Sequence, residues 1–478
     1  MKKNRIDLSP IKPTDNNTKT NVRSSSTKEN TEIDGTIKVV VRVRPLLQHE
    51  IGEKSVIRCQ DNTVQTILNR IGNEESVRMF SFNNVIPPLE DQLTTFNKIG
   101  IKSLINQALQ GINVSILAYG QTGSGKTYSM SGMIDETINS LSSSTTNSTD
   151  SSNNNIALSS EAGIIPRSCI YLYQRIKEIY EGYNKHFPEL SLSTITSSSS
   201  ITIRASFCEI FNENIYDLLN LTGQALSLRY IPNQGFFIAG QVIVTCENAQ
   251  ELMEVIKEGI RNRSVSSHSL NMDSSRSHSI LTIWIERKVT TASLHNLQMN
   301  THPNQTDELL DDPNDPSTTI LRSKIIFVDL AGSERLKDSQ SEGVTATETR
   351  YINKSLFVLG KVIAALSEKK PTNIDYQHTN SSSSSLSTHI PYRDSKLTKL
   401  LADSLGGTAR TLLLSCVSPA ASFLDETLQT LQYSLRASRI ENAPIIRVDA
   451  PHINQAKTIK LLQQENELLK KENQLFRE

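Results

Sequence analysis

The sequence predicts an α/β fold, a mixed and mainly parallel central sheet with helices on both faces. Three observations carry that expectation. An apolar, β-prone run from Val114 to Ala118 flows into Gly120-x4-Gly125-Lys126-Thr127, which matches G-x-x-x-x-G-K-[ST], and then into a segment that can be helical. Two further runs, Ser279 to Ile285 and Lys324 to Asp329, are almost continuously apolar, as suits central strands covered on both faces. Each has a polar cluster at one end, and open α/β sheets keep their ligands at strand ends.

Composition narrows the function classes. At 478 residues the chain can bury a large core, while its 37% hydrophobic content indicates that polar segments dilute an ordinary domain. Lys and Arg total 50 against 50 Asp and Glu, so no bulk charge points to nucleic acid, and electrostatic binding must come from local patches. The 5 cysteines (Cys59, Cys169, Cys208, Cys246, Cys416) are odd in number and scattered, which reads as buried thiols in a reducing compartment rather than a disulfide or zinc framework. No run approaches the ~18 apolar residues of a membrane span, so no membrane insertion is expected.

Taken in order, residues 1–35 are Ser/Thr/Asn/Lys-rich without apolar periodicity and read as a disordered polar leader. The strand Ile37 to Arg44 follows, closed by Pro45. Its arginines Arg42 and Arg44 share one face by the period of two, and composition alone reads them as a solvated edge. A helical pattern from Thr95 to Leu109 leads to the Gly-rich loop, and Gly163-Ile-Ile-Pro-Arg167 opens another apolar-periodic helix before the strand Ile201 to Phe211. Low-complexity stretches at about 139–160, 191–200, 291–319 and 371–388 are expected to be surface insertions within one large domain.

The chemistry converges on a nucleotide phosphate. Glycines 120, 123 and 125 let the backbone approach an anion closely; Lys126 can reach the β- and γ-phosphates, and the Thr127 hydroxyl can ligate Mg²⁺. Asp329-Leu-Ala-Gly332 follows the D-x-x-G logic of a loop that senses the γ-phosphate, with the carboxylate near the metal. Asn271-Met-Asp-Ser274-Ser275-Arg276-Ser277-His278 gathers hydroxyls and a guanidinium that can ligate a metal, align water or pair with a carboxylate. Alone, it would read as a polar loop rich in helix caps.

In order and spacing, the loop Gly120-Gln121-Thr122-Gly123-Ser124-Gly125-Lys126-Thr127, the Ser-Ser-Arg-Ser-His cluster and Asp329-Leu-Ala-Gly-Ser-Glu334 resemble the nucleotide loop and two switches of the kinesin motor domain, a P-loop NTPase. Tyr351 to Leu356, Tyr392 to Thr398 and Asp403 to Gly407 extend the resemblance over about 36–445. It implies an ATPase using ATP and Mg²⁺. Arg42, Pro45 and Tyr128 would line the adenine, with Tyr128 stacked on it. Lys126 and Thr127 would hold phosphate and metal, helped by Ser275, with Asp329 acting through water. Gly332 would read the γ-phosphate, Arg276 and Glu334 would close the switches, and Ser274 with that bridge would position the lytic water.

The resemblance also implies a track-binding face of Arg350, Lys354, Arg393 and Lys396 toward acidic tubulin, and residence on the cytoplasmic microtubule cytoskeleton. Two departures stand out. The loop before Tyr392 offers only Lys369 and Lys370 where some kinesins are lysine-rich, which predicts weak tethering, and Asn83 follows Phe82 where the family usually has aspartate. Residues 446–457 would be a neck-linker-like segment, whose position after the motor suggests plus-end travel. From 458, Ile459, Leu462, Asn466, Leu469, Asn473 and Phe476 recur at three- and four-residue spacing, a start of coiled coil compatible with a homodimer; the cargo is unspecified. A GTPase would need Asn-Lys-x-Asp, and Asn353-Lys354-Ser355-Leu356 lacks the aspartate. The remaining alternative is a kinesin-like microtubule binder with a regulatory rather than motile role.

Overall fold

Strands buried on both faces must split their side chains between two cores, and the alternation in the central strands does so. The computed structural model describes residues 35–71, 74–133, 158–186, 200–232, 235–269, 274–290, 318–334, 344–368 and 389–449. The expected leader, nearly all of the four insertions, Lys369 and Lys370, and the helix from 458 lie outside these residues.

In chain order the strands are β1 (Lys38–Val43), β2 (Ile57–Gln60), β3 (Thr63–Ile71), β4 (Glu74–Ser81), β5 (Asn84–Ile86), β6 (Val114–Tyr119), β7 (Ile201–Phe211) and β8 (Asn214–Asp217). They continue as β9 (Ser227–Ile231), β10 (Gly235–Ala239), β11 (Val244–Cys246), β12 (His278–Thr290), β13 (Thr318–Asp329), β14 (Arg410–Val417) and β15 (Val448–Asp449). The helices are α1 (Gln92–Lys98), α2 (Ile101–Leu109), α3 (Lys126–Met130), α4 (Ile164–His186), α5 (Ala249–Ser269), α6 (Val344–Ser367), α7 (Lys396–Leu400) and α8 (Leu424–Ala437).

The central sheet runs β11-β7-β12-β13-β6-β14-β1-β5, with β8 on β7 and β15 on β13. From β13 to β5 every pair is parallel, while β12 is antiparallel to both β13 and β7. The sheet is therefore mixed, with most strands sharing one direction. Val40, Ile116, Ala118, Leu412, Leu414 and Phe327 pack on one face against α1, α2, α4 and α5. Val39, Val41, Leu117, Leu413 and Val328 pack on the other against α6, α7 and α8. The helices supply matching stripes; α2 buries Ile101, Leu104, Ile105, Ala108 and Leu109, the i, i+3, i+4, i+7, i+8 face.

Three expectations needed correction. The helical pattern at 95–109 is two helices, because Gly100 adopts φ 85° and breaks the ladder between α1 and α2. The apolar runs at 279–285 and 324–329 are the start of β12 and the end of β13, longer strands paired from Ser279–Asp329 to Thr290–Thr318. Finally, β1 is no edge: it lies between β14 and β5, and Arg42 is 8% exposed. The free cysteines are as expected, four buried and Cys59 half-buried. Among the described residues no helix is long and apolar enough to cross a membrane.

The substituted residue Asn83 acquires a role here. Its N–H donates to the Val39 carbonyl at 3.1 Å, and its side-chain oxygen accepts from Val39 N–H at 2.7 Å. An aspartate oxygen could accept the same bond.

Candidate functional site

The parallel neighbours of β6 place its C-terminal end, and the loop that follows, beside the ends of β13 and β14. Asp329 stands opposite Ala118 in the β13–β6 ladder, and Ser279, at the start of β12, stands opposite Asp329. Three distant sequence clusters thus meet at one sheet edge.

The loop after β6 demands glycine at its first position. Gly120 has φ 148°, and a Cβ there would lie 2.1 Å from the Cys416 carbonyl oxygen. Gly123 and Gly125 are left-handed at φ 75° and 96°. Lys126 folds back so that Nζ donates to the carbonyls of Gly120 and Gln121, each at 2.9 Å. Burial lowers its pKa, partly countered by nearby Asp329. Ser124 closes the turn through its hydroxyl to the Gln121 carbonyl.

A cavity of about 550 Å³ opens over this loop, lined by Thr122 to Ser129 and by Arg42, Pro45, Ser275 and Asp329 among others. Thr127 donates its hydroxyl to Asp329 Oδ2 at 2.6 Å, and Arg263 Nη1 reaches the same oxygen at 3.2 Å. Among the described residues Asp329 Oδ1, which is buried, has no hydrogen-bond partner. A buried carboxylate oxygen beside two hydroxyl-bearing residues fits the oxygen set of a hard divalent cation. Thr127, Asp329 and Ser275 are thus the residues that would hold Mg²⁺.

Elsewhere in the cavity wall, Arg42 donates to Gln92 Oε1 at 2.8 Å and Ser129 Oγ at 2.9 Å, and its guanidinium lies 5.3 Å from the centre of the Tyr128 ring. Burial pulls its pKa below the ordinary value, yet guanidinium stays charged. Gln92 is held in turn by donating to the Tyr128 carbonyl. Arg44 donates to the Gly123 carbonyl and pairs with Glu50, whose carboxyl its hydrogen bonds hold down at about 2.

The two candidate switches are joined. Gly332 N–H donates to the Ser275 carbonyl at 2.8 Å, and Ser333 N–H to the Gly120 carbonyl at 3.1 Å. Glu334, expected to meet Arg276, is instead bound by Thr122: its Oε2 accepts Thr122 N–H at 2.8 Å and its other oxygen accepts the Thr122 hydroxyl. Arg276 is half-buried in the turn Ser274–Arg276, where the side chain of Ser274 lies outside the described residues. A Cβ on Gly332 would come within 2.3 Å of Thr122 Oγ1 and Glu334 Oε1, so those side chains would have to move to admit one.

Several residues that matter were not singled out from the sequence. Arg263 on α5 bridges Glu209 of β7, Asp329 of β13 and the Ser277 carbonyl, with both carboxylates under a tenth exposed. The Ser277 hydroxyl also donates to Glu209. The one signal was Glu209 itself, a lone carboxylate in the apolar strand Ile201–Phe211, which must find a cation if buried. His278 accepts Ala331 N–H at Nδ1 (3.0 Å), so its Nε2 carries the proton shared with Ser355 at 2.7 Å. It therefore links β12, the loop after β13, and α6. Burial, with Arg263 and Lys126 nearby, depresses its pKa to about 3, so the ring is neutral.

On the opposite face, Lys354 is exposed on α6, Arg393 is exposed and Lys396 half-buried, and α6 packs against both the Tyr392–Asp394 turn and α7. The side chain of Arg350 lies outside the described residues. Of the linker-like segment, residues to 449 are described: Val448 and Asp449 pair with Leu321 and Ile320, and Arg447 reaches Asp403.

The family model for the kinesin motor domain matches residues 42–440. The chain belongs to the kinesin family. It is 34% identical over 412 residues to mouse kinesin-like protein KIF12, an alignment covering 85% of this chain and 53% of that protein. It is 34% identical over 418 residues to mouse chromosome-associated kinesin KIF4, covering 86% and 27%. This kinesin chain thus spans about half or less of the length of these relatives. A solved structure described as that of a fast kinesin superposes with a TM-score of 0.63 at 30% identity, over 87% of this chain and 94% of the other. The fold is accordingly the kinesin motor fold. Kinesins are in general nucleotide-binding microtubule motors.

Proposed function

We propose that this kinesin hydrolyses ATP with Mg²⁺ in the cavity over the Gly120–Thr127 loop, that microtubules accelerate the reaction, and that the cycle drives movement along them. The observation that supports it most is the buried Asp329 Oδ1 beside Thr127, without a hydrogen-bond partner among the described residues, to which a hydrated divalent cation would supply the missing donor. When bound, the metal would neutralise charge developing on the transferred phosphoryl group.

The chain's own residues then have distinct tasks. Lys126 exchanges its two carbonyl partners for phosphate oxygens. Gly332 N–H leaves the Ser275 carbonyl for the γ-phosphate, and Glu334 leaves Thr122 for Arg276, closing the switches and letting Ser274 orient water. Because His278 joins the loop of Gly332 to Ser355 on α6, that rearrangement is passed to the helix bearing Lys354, on the track-facing side. Arg350, Lys354, Arg393 and Lys396 contact tubulin in this reading. Residues 36–445 form the motor, 446–457 the linker that gives plus-end direction by analogy of position, and 458–478 a dimerising helix. The protein works on the cytoplasmic microtubule cytoskeleton.

Steady-state ATP hydrolysis with and without stabilised microtubules, beside Glu334→Ala, tests this. Strong stimulation that the variant loses is expected. A flat response with nucleotide-sensitive microtubule binding retained would favour the regulatory binder, and absence of binding would sink the track-face assignment.

A further inference from the structure

We propose that Glu161 is a positioning residue for the nucleotide base: it fixes Tyr128, whose ring lines the cavity, in the orientation that receives the purine. The proposal rests on the reading of Tyr128 as the base-stacking residue. Tyr128 is 39% exposed and sits on Arg42, which is itself pinned by Gln92 and Ser129. At its tip, the phenol hydroxyl donates to Glu161 Oε2 at 2.5 Å. The ring is thus held from beneath and at its end.

Glu161 is a usable anchor only if its own position is fixed, and the structure fixes it. Arg167 of α4 donates from Nε to the Ala162 carbonyl at 2.9 Å and from Nη2 to the carbonyls of Ser159 and Ser160 at 3.3 and 3.0 Å. Gly132 and Ala162 form a bridge just after α3, and a Cβ on Gly132 would lie 2.1 Å from the Glu161 carbonyl oxygen. The corner carrying Glu161 is therefore bolted to the turn after α3 on one side and to α4 on the other. Arg42, Arg167 and Asp91 are the charged groups around it.

Chemically, a phenol donating to a carboxylate makes a charge-assisted bond, stronger than a neutral one. Its effect here is preorganisation. A tyrosine released from Glu161 regains rotamer freedom that must be removed again when a base stacks on it, which weakens binding without altering the groups around the phosphates.

The test is a double-mutant cycle on the full chain, with Glu161→Ala, Tyr128→Phe, the double variant, and Glu161→Gln as the conservative change. Equilibrium affinity for a fluorescent ribose-labelled ADP and the microtubule-activated KM and kcat for ATP are the readouts. Glu161→Ala and Tyr128→Phe are each expected to weaken ADP and raise KM by about two- to tenfold, the cost of immobilising one side chain anew, with a much smaller change in kcat. The double variant is expected to be no worse than either single one, and Glu161→Gln to recover most of the affinity. Additive losses, Glu161→Ala binding as tightly as the unaltered chain, or a fall in kcat with KM unmoved would each overturn the proposal. Failure of the unaltered chain to bind ADP would instead overturn the reading of the site itself.

Discussion

The cleft over the Gly120–Thr127 loop and the surface carrying Lys354 and Arg393 are built from the same residue types under opposite constraints. In the cleft, Arg263, Glu209 and Asp329 are nearly buried, so each charge has a named partner at 3.2 Å. On the other face Lys354 and Arg393 are exposed, where water solvates a charge whether or not it is paired. A buried charge is thus specified by its surroundings, whereas an exposed one is specified only by what comes to meet it.

That contrast sets the expected size of each perturbation. The largest belongs to Arg263→Ala, which leaves two buried carboxylates without their cation. Unfolding by denaturant should show a loss of about 3–5 kcal/mol, and Arg263→Lys should recover only part of it. A loss within the range of an exposed pair would erase the distinction between the two regions.

Next is the pH response of His278. Its folded pKa of about 3 lies below the ordinary 6.5, so between those values the unfolded chain binds the extra proton and stability falls as pH falls. The contribution is intact above 6.5 and declines by up to about 1.4 kcal/mol per pH unit below it. Replacing His278 with Gln should flatten that slope between pH 6.5 and 5, above the window in which the Glu50 carboxyl, held at about 2 against 4.5, begins to matter. An unchanged slope would mean that the ring is not buried neutral.

The smallest effects are expected at the surface. Lys354→Ala and Arg393→Ala should each lower microtubule affinity by about two- to fivefold, on the scale of an exposed ion pair, and most clearly at low salt. A loss of folding stability comparable to that of Arg263→Ala would show that these residues are structural. The same titration in salt addresses the expected weak tethering: a steep decline in affinity would point to a larger cationic footprint than these residues supply.

How much of this was legible in the sequence differs element by element. The loop at 120–127 and the strand before it could be read directly, because a glycine with φ 148° under a carbonyl tolerates no substitute and the motif records that demand. The central strands β7, β12 and β13 announced themselves by apolar runs, and β7 has the expected ends, but the far halves of β12 and β13 did not show, since pairing beyond the core needs no apolar residue. Composition alone misjudged the exposure of Arg42. An arginine in a strand resembles a solvated edge until β5 is known to cover it and Gln92, fifty positions away, to accept its hydrogen bond. The Glu334 partner also differed, because the same carboxylate can meet Thr122 or Arg276 according to how the two loops stand.

By itself the sequence determined what depends on near neighbours: the turn geometry of the phosphate loop, the two-residue alternation that builds a core on each face, and the set of groups able to handle a nucleotide. Only the tertiary structure decided which distant group each of these meets. Arg263 finds Asp329 66 positions away, and Tyr128 finds Glu161 33 away across the turn after α3. Such pairings are set by strand order and by the path of the chain between strands. A side chain's own identity fixes that it needs a partner when buried, but not which one the fold brings to it.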